Sequence, residues 1–178
     1  MNIAVFGSAF NPPTKGHQDA INFVLEDEKA FDKVLLIPSL RHAFSKQMID
    51  YATRKKLVSL FVSDINDPRV IDLLIEHKVK PNSEQPVYTY DLLDFLEREM
   101  YPNAKLTFVI GPDNKANWDK FYKADEITER WSVLSVPERL PLRSTMAREN
   151  IKKNLSVDKL LTKQVAEHIN AHDLYKGT

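Results

Sequence analysis

The amino-acid sequence predicts an α/β fold: a Rossmann-like, doubly wound parallel sheet with helices on both faces and a helical C-terminal segment. Strand-like apolar runs alternate with helix-like segments along almost the whole chain, a pattern typical of βαβ units. Several strand candidates are continuously apolar, as expected of strands buried on both faces of a parallel sheet. The connections are short, and we therefore predict a single domain over residues 1–178.

The first half of the chain shows this alternation clearly. Residues 2–7 (NIAVFG) form a continuous apolar run that ends in glycine, which predicts a buried strand. Residues 15–30 have helical apolar spacing, and 33–38 (KVLLIP) predict a second buried strand that stops at a proline. Residues 50–65 predict a second helix with one apolar face. Residues 69–76 fit a strand by their place in the alternation and a helix by their leucines, so both remain open.

The second half repeats the pattern. Residues 88–100 predict an amphipathic helix, and 105–111 (KLTFVIG) form the clearest strand candidate. A broken helical segment is expected at 117–130, followed by a strand at 131–137 (WSVLSVP). The C-terminal segment adds two predicted helices, 144–154 and 159–171.

The composition argues against several classes of function. The chain carries 25 basic and 25 acidic residues, so the overall basic field of a nucleic-acid-binding protein is missing. It has no cysteine, which excludes disulfides and thiolate metal sites. The sequence contains no apolar run long enough for a membrane helix, and the N-terminus lacks the features of a secretory signal. We therefore expect a cytoplasmic protein without nucleic-acid or membrane partners.

The segment GSAFNPPTKGH, residues 7–17, joins the first strand to the first helix. Gly7 and Gly111 each end a predicted strand and Gly16 opens the first helix, so these glycines lie at the sheet edge where such folds bind ligands. Turns with positive φ would explain them, but their clustering favours close approach of a phosphate. A helix N-terminus binds anions, so His17 either donates to a phosphate or only covers the helix end; we favour the first. The sequence contains neither a P-loop nor a GxGxxG motif.

These motifs resemble a known family. TKGH, residues 14–17, resembles the (H/T)xGH signature of the nucleotidyltransferase superfamily. The wider FGSAFNPPTKGH is similar to the FGGxFDPxHxGH opening of the nicotinate/nicotinamide mononucleotide adenylyltransferases, and LRSTMAR, residues 142–148, resembles their ISSTxIR signature. Three further elements resemble the family in the same order: VYTYDLLDFL at 87–96, FVIGPDN at 108–114 and VAEHINAHDLY at 165–175. The resemblance covers nearly the whole chain.

The resemblance implies an enzyme of NAD biosynthesis. It would join the AMP moiety of ATP to nicotinamide or nicotinate mononucleotide, giving NAD or deamido-NAD and pyrophosphate. Because the attacking phosphate is already ionised, positioning and electrostatic stabilisation would suffice for catalysis. The alternatives are another member of the superfamily, such as a phosphopantetheine adenylyltransferase, and a non-catalytic nucleotide sensor. The preference between the two pyridine substrates and the oligomeric state, with a homo-oligomer as one option, stay open.

The resemblance also implies an ATP site. Thr14, His17 and Arg148 would be the catalytic residues, with Arg148 reaching the β- and γ-phosphates. Ser144 would offer its hydroxyl to the ATP phosphates, although a simple helix N-cap role is the alternative. Asp113 would bind a ribose hydroxyl, with an ordinary turn position as the alternative. Mg²⁺ should arrive with ATP, and we assign it no protein ligand. The predicted ATP-binding residues are Gly7, Ser8, Phe10, Thr14, Gly16, His17, Gly111, Asp113, Ser144, Thr145 and Arg148.

A second set of residues is implied for the pyridine nucleotide. An aromatic ring, Phe121 by spacing or Trp118, would stack on the pyridine base, with core packing as the ordinary alternative. Thr89 would cap its helix and contact the substrate. The predicted pyridine-nucleotide-binding residues are Ala9, Lys46, Arg54, Thr89, Trp118 and Phe121. The sequence departs from the family at Ser8, where a glycine is usual, and at Ala9, where Ser or Thr is common.

Overall fold

The structure, a computed structural model, describes residues 1–40, 48–81 and 85–177. Five parallel strands form its sheet, in the order β3-β2-β1-β4-β5. The strands are β1 (Asn2–Ser8), β2 (Lys33–Pro38), β3 (Val70–Asp72), β4 (Lys105–Ile110) and β5 (Ser132–Ser135). The predicted parallel α/β sheet is confirmed.

The strand order reverses beside β1. The chain passes from β1 outward through β2 to β3, and then returns to place β4 on the opposite side of β1. Ala4 of β1 is thus in register with Val34 of β2 on one side and with Thr107 of β4 on the other. The carboxyl ends of β1 and β4 therefore flank the position where open parallel sheets bind their ligands.

Helices cover both faces of the sheet. The α-helices are α1 (Lys15–Leu25), α2 (Tyr51–Ile65), α3 (Glu76–Val79), α4 (Thr89–Phe95), α5 (Pro112–Ala116), α6 (Ala124–Arg130), α7 (Ser144–Lys152) and α8 (Lys163–Ala171). Because strand side chains alternate, Ala4 and Phe6 pack with α1, α2, α7 and α8 on one face, whereas Ile3 and Val5 pack with α4 and α6 on the other. The doubly wound arrangement and the helical C-terminal segment are confirmed.

Several predicted boundaries were wrong. Helix α1 ends at Leu25 because residues 26–30 (EDEKA) offer no further apolar face. Residues 69–76 contain both alternatives, a short strand that pairs with β2 at the sheet edge and the start of α3. The predicted helix at 88–100 changes from α4 into a π-helical turn at Leu96–Met100. The broken helical segment already begins at Pro112, and α8 begins at Lys163.

The helices are also short. None in the described ranges combines the length and the apolar character needed to cross a membrane. The longest, α2, has 15 residues and carries Arg54, Lys55 and Lys56. The assignment of residues 1–178 to a single domain stays a prediction.

Candidate active site

A cavity of about 340 Å³ opens at the carboxyl ends of β1 and β4. Its walls come from the exit of β1, the first turn of α1, the junction of β4 with α5, and residues 136–144. Eight predicted ATP-site residues line it: Gly7, Ser8, Thr14, Gly16, His17, Gly111, Asp113 and Ser144. The other three, Phe10, Thr145 and Arg148, contact residues of the same loops without lining the cavity. Two segments far apart in sequence, TKGH and LRSTMAR, therefore meet here.

Thr14 and His17 cap the start of α1 reciprocally. Thr14 is the N-cap residue, and its Oγ1 accepts the backbone N–H of His17 at 3.3 Å. The backbone N–H of Thr14 donates to His17 Nδ1 at 2.9 Å. His17 thus occupies the position that Glu or Gln usually takes in a capping box. The imidazole is fixed by its own helix before any ligand arrives.

These contacts determine the tautomer of His17. Because Nδ1 accepts an N–H, the proton of the neutral ring is on Nε2. Burial lowers the pKa of His17 from its ordinary value of 6.5 to about 4, so the ring is neutral near pH 7. Phe10, which has a left-handed φ of 48°, packs its ring 5.0 Å from the imidazole, centroid to centroid. His17 therefore presents one neutral N–H donor at the cavity wall.

The lowered pKa predicts a pH dependence of stability. The unfolded chain takes up the His17 proton at a higher pH than the folded chain, so this stabilisation is complete above pH 6.5 and is lost as the pH falls towards 4. The loss is at most about 3 kcal/mol. His17→Gln keeps a standard capping partner but does not titrate. Denaturant unfolding between about pH 7.5 and 4 should show the wild type losing more stability than this variant, and parallel curves would contradict the prediction.

Position 16 requires glycine because the backbone of Leu142 lies very close to it. A Cβ at this position would lie 2.2 Å from the carbonyl oxygen of Leu142. No glycine of the chain has positive φ, so the turn explanation fails. The need for glycine at position 16 therefore comes from protein backbone, and the phosphate approach at Gly16 stays a prediction. At Gly111, by contrast, a Cβ would meet nothing within 4 Å and would enter open space beside the cavity.

We expect Gly16→Ala to destabilise the protein by about 1–3 kcal/mol or more, because the backbone at Leu142 must move away. Gly111→Ala is the matched control, since its methyl group finds room. It should keep a melting temperature near that of the wild type but weaken ATP binding, because the methyl group occupies cavity space. Thermal unfolding with and without ATP measures both effects. Equal melting temperatures for the two variants would contradict the close approach at Gly16.

Ser144 begins α7 and ties it to the loop after β1. Arg143, in extended conformation, is the N-cap residue, and its side chain makes no capping bond. The Ser144 hydroxyl instead donates to the carbonyl oxygen of Pro12 at 2.7 Å. The alternative of a simple N-cap role for Ser144 is therefore excluded.

Arg148 lies one turn further along α7 and contacts the same loop. Its Nη1 donates to the carbonyl oxygen of Asn11 at 2.8 Å, and its Nη2 donates to Thr145 Oγ1 at 3.1 Å. Tyr175, which follows α8, donates its hydroxyl to Asn11 Oδ1 at 2.8 Å. The guanidinium is half-buried and held in a fixed orientation beside the residues that line the cavity.

Two further arginines, which were not predicted as site residues, also line the cavity. Arg139 pairs with both carboxylate oxygens of Asp19 on α1, at 3.0 and 3.1 Å. Arg143 pairs with Glu138 at 2.7 Å and with Asp113 at 3.4 Å. Asp113 itself is exposed at the start of α5. The sequence did carry a signal, since both arginines come shortly before STMAR in PERLPLRSTMAR.

Of the residues predicted to contact the pyridine nucleotide, the five that the structure describes do not line this cavity. Trp118 and Phe121 stack on each other at 4.7 Å between ring centroids and are half-buried against the core face that contains α4 and α6. Thr89 is the first residue of α4, but the N-cap residue is Tyr88, so the predicted capping role of Thr89 was wrong. Lys46 lies outside the described residues.

Arg54 is buried inside the protein, which the amino-acid sequence did not indicate. Its side chain is 1% exposed at the start of α2. The guanidinium donates to the carbonyl oxygen of Ala9 at 3.0 Å and to that of Ser39, while Nε donates to the carbonyl oxygen of Ile49 at 2.9 Å. Arg54 is one of the residues predicted to contact the pyridine nucleotide, but its buried guanidinium instead joins the loops that follow β1 and β2.

The described part of the chain offers no group of three or more His, Asp or Glu side chains placed to hold a metal ion. Among the residues that the structure describes, the charged side chains that line the cavity are Asp19, Asp113, Glu138, Arg139 and Arg143, three acidic and two basic. These five groups alone do not compensate the charge of a polyanionic nucleotide.

Comparisons with known proteins agree with this arrangement. No family model matches the chain. A nicotinate-nucleotide adenylyltransferase from Bacillus subtilis is 27% identical over 195 residues, which cover 98% of this chain and 98% of the relative. A crystal structure from Vibrio parahaemolyticus, assigned as a nicotinate-nucleotide adenylyltransferase, is 40% identical with a TM-score of 0.85, and the match covers 100% of this chain and 98% of the other.

A more distant structure shares the fold. The nicotinic acid mononucleotide adenylyltransferase of Plasmodium falciparum, in complex with NaAD, matches with a TM-score of 0.76 at 15% identity. The match covers 99% of this chain and 98% of that chain. At this identity the likeness concerns the fold alone.

Proposed function

This chain belongs to the nicotinate-nucleotide adenylyltransferase family, and we propose that it transfers the adenylyl group of ATP to a pyridine mononucleotide in NAD biosynthesis. The observation that carries the proposal is the fixed His17 Nε2–H in the cavity where the strand order reverses. The names of the relatives favour nicotinate mononucleotide over nicotinamide mononucleotide as the acceptor. The product would then be deamido-NAD, with pyrophosphate as the leaving group.

The reaction needs no protein nucleophile. An oxygen of the acceptor 5′-phosphate attacks the α-phosphorus of ATP, and the bond from this phosphorus to the bridging oxygen of the β-phosphate breaks. His17 Nε2–H would donate to an oxygen of the α-phosphoryl group as negative charge is redistributed. The chain supplies orientation and donors that are already in place before the substrate binds.

The predicted ATP-site residues remain the proposed ATP-binding set, with Thr14, His17 and Arg148 as the catalytic residues. For the pyridine nucleotide we propose Thr89, Trp118 and Phe121, with Ala9 and Lys46 as further candidates. Arg54 would act indirectly, by holding the carbonyl group of Ala9 from within the protein.

We propose that Mg²⁺ enters with ATP, bound to phosphate oxygens and water. This is supported by the described residues that line the cavity, among which carboxylates outnumber guanidinium groups and so disfavour an uncompensated triphosphate. The positive charge of Mg²⁺ would offset part of the phosphate charge. A cytoplasmic location belongs to the same proposal, and the oligomeric state stays open with a homo-oligomer as one option.

A pyrophosphate-release assay tests the function. The chain is incubated with ATP, Mg²⁺ and one acceptor at a time: nicotinate mononucleotide, nicotinamide mononucleotide or phosphopantetheine. We expect turnover with a pyridine mononucleotide, faster with the nicotinate form. Turnover with phosphopantetheine alone would replace the proposed substrate by that of a related adenylyltransferase. Binding of ATP without turnover of any acceptor would indicate a nucleotide sensor.

A further inference from the structure

Ser8 stands at the end of β1, where its side chain lines the cavity beside His17. Its Oγ lies 3.3 Å from His17 Nε2 and 3.3 Å from the backbone nitrogen of Phe10. The family motif that this segment resembles has glycine at this position, so the hydroxyl is an addition that the motif does not contain.

The hydrogen-bond partners of Ser8 Oγ determine the direction in which its proton points. The Thr14 N–H occupies Nδ1 of His17, so the Nε2–H of His17 is the donor towards Ser8 Oγ. The Phe10 N–H is a second donor to the same oxygen. A hydroxyl has two lone pairs and one proton, so both acceptor positions of Ser8 are occupied.

The hydroxyl proton must then point along the remaining direction. Among the residues that the structure describes, no acceptor for this proton lies within hydrogen-bond distance of Ser8 Oγ. Ser8 lines the cavity, so the open space for the proton is the space in which a ligand would sit.

We propose that Ser8 is a further catalytic residue, whose O–H donates to the phosphoryl group that His17 also faces. Before the nucleotide binds, the Nε2–H of His17 is directed at Ser8 Oγ over a long 3.3 Å contact, and a phosphoryl oxygen beside Ser8 would share this proton. The proposal rests on the proposed adenylyl transfer and extends it. The two donors are adjacent, and Ser8 also holds the imidazole in place before the nucleotide enters. A pair of fixed donors at a developing charge stabilises the transition state more than the ground state.

The test compares Ser8→Ala, Ser8→Gly and Ser8→Thr in steady-state kinetics. The first two remove the hydroxyl and should lower kcat about tenfold with KM for ATP nearly unchanged, as expected for the loss of one neutral donor. Ser8→Thr keeps the hydroxyl and should retain most of the activity. Melting temperatures near that of the wild type would show that the variants are folded. Wild-type kcat in Ser8→Ala, or a loss confined to KM, would overturn the proposal.

A second measurement separates this inference from the proposed function. Nitrogen NMR of ¹⁵N-histidine-labelled protein should show His17 protonated on Nε2, with a signal that shifts in Ser8→Ala and on addition of a non-hydrolysable ATP analogue. If the wild type released no pyrophosphate with any acceptor, the proposed function would fail while these signals could still establish the Ser8–His17 pair. A ring protonated on Nδ1, or an unchanged Nε2 signal in Ser8→Ala, would refute the role of Ser8 whatever the activity.

Discussion

Replacement of His17 by alanine or glutamine is expected to lower kcat by about 10²–10³, because each variant removes the Nε2–H donor. Steady-state kinetics with saturating ATP and nicotinate mononucleotide measure this. KM for ATP should change much less than kcat, since the donor matters most as charge moves in the transition state.

The two variants separate catalysis from helix capping. Alanine also loses the contact between Nδ1 and the Thr14 N–H, so it should lower the melting temperature. Glutamine can accept that N–H and should melt near the wild type. A glutamine variant with wild-type kcat would show that His17 is only a capping residue.

Arg148→Lys and Arg148→Ala are expected to lower kcat/KM for ATP by about 10–10²-fold. The guanidinium is already oriented by its bonds to Asn11 and Thr145 and can hold phosphate oxygens through its fork, whereas an ammonium group acts as a point charge. A charge-assisted hydrogen bond of about 1.5–3 kcal/mol accounts for this loss. Lysine should therefore not rescue the activity.

ATP-dependent thermal unfolding provides an independent measurement for Arg148. A nucleotide that binds the folded state raises the melting temperature, and this increase should be smaller in both variants than in the wild type. Lys152→Ala, one turn further along the same helix at an exposed position, is the matched control and should respond to ATP as the wild type does. Equal stabilisation of wild type and Arg148→Ala by ATP would refute a phosphate contact.

The sheet could be predicted from the sequence because strands that are buried on both faces consist of continuous apolar residues. Continuous apolar runs such as KVLLIP and KLTFVIG mark the strands whatever the rest of the chain does. The position of the cavity could be predicted from the same pattern, because glycines and polar residues follow the apolar runs at the ends of the strands.

The remaining features depend on contacts between distant segments. The need for glycine at position 16 comes from the carbonyl group of Leu142, which no local pattern can indicate. Arg54 was predicted to contact the pyridine nucleotide, and its burial could not be foreseen because it arises from contacts with loops that are distant in the sequence. Thr89 was predicted as the N-cap residue, and it lies one position after the observed N-cap residue, Tyr88. Errors of one or two residues are usual at helix ends.

The bonds that hold Asn11 and Pro12 have a consequence for the order of folding. Their partners are Ser144, Arg148 and Tyr175, so the loop after β1 is completed by elements that are synthesised well after it. Such contacts raise the contact order, and their loop-closure entropy must be overcome before they stabilise anything. An emerging chain can pair β1 with β2 early, yet it would acquire nucleotide affinity only when α7 and α8 dock. Pulse-labelled hydrogen exchange should accordingly find the amides of residues 10–17 protected together with those of α8, and later than those of β1 and β2.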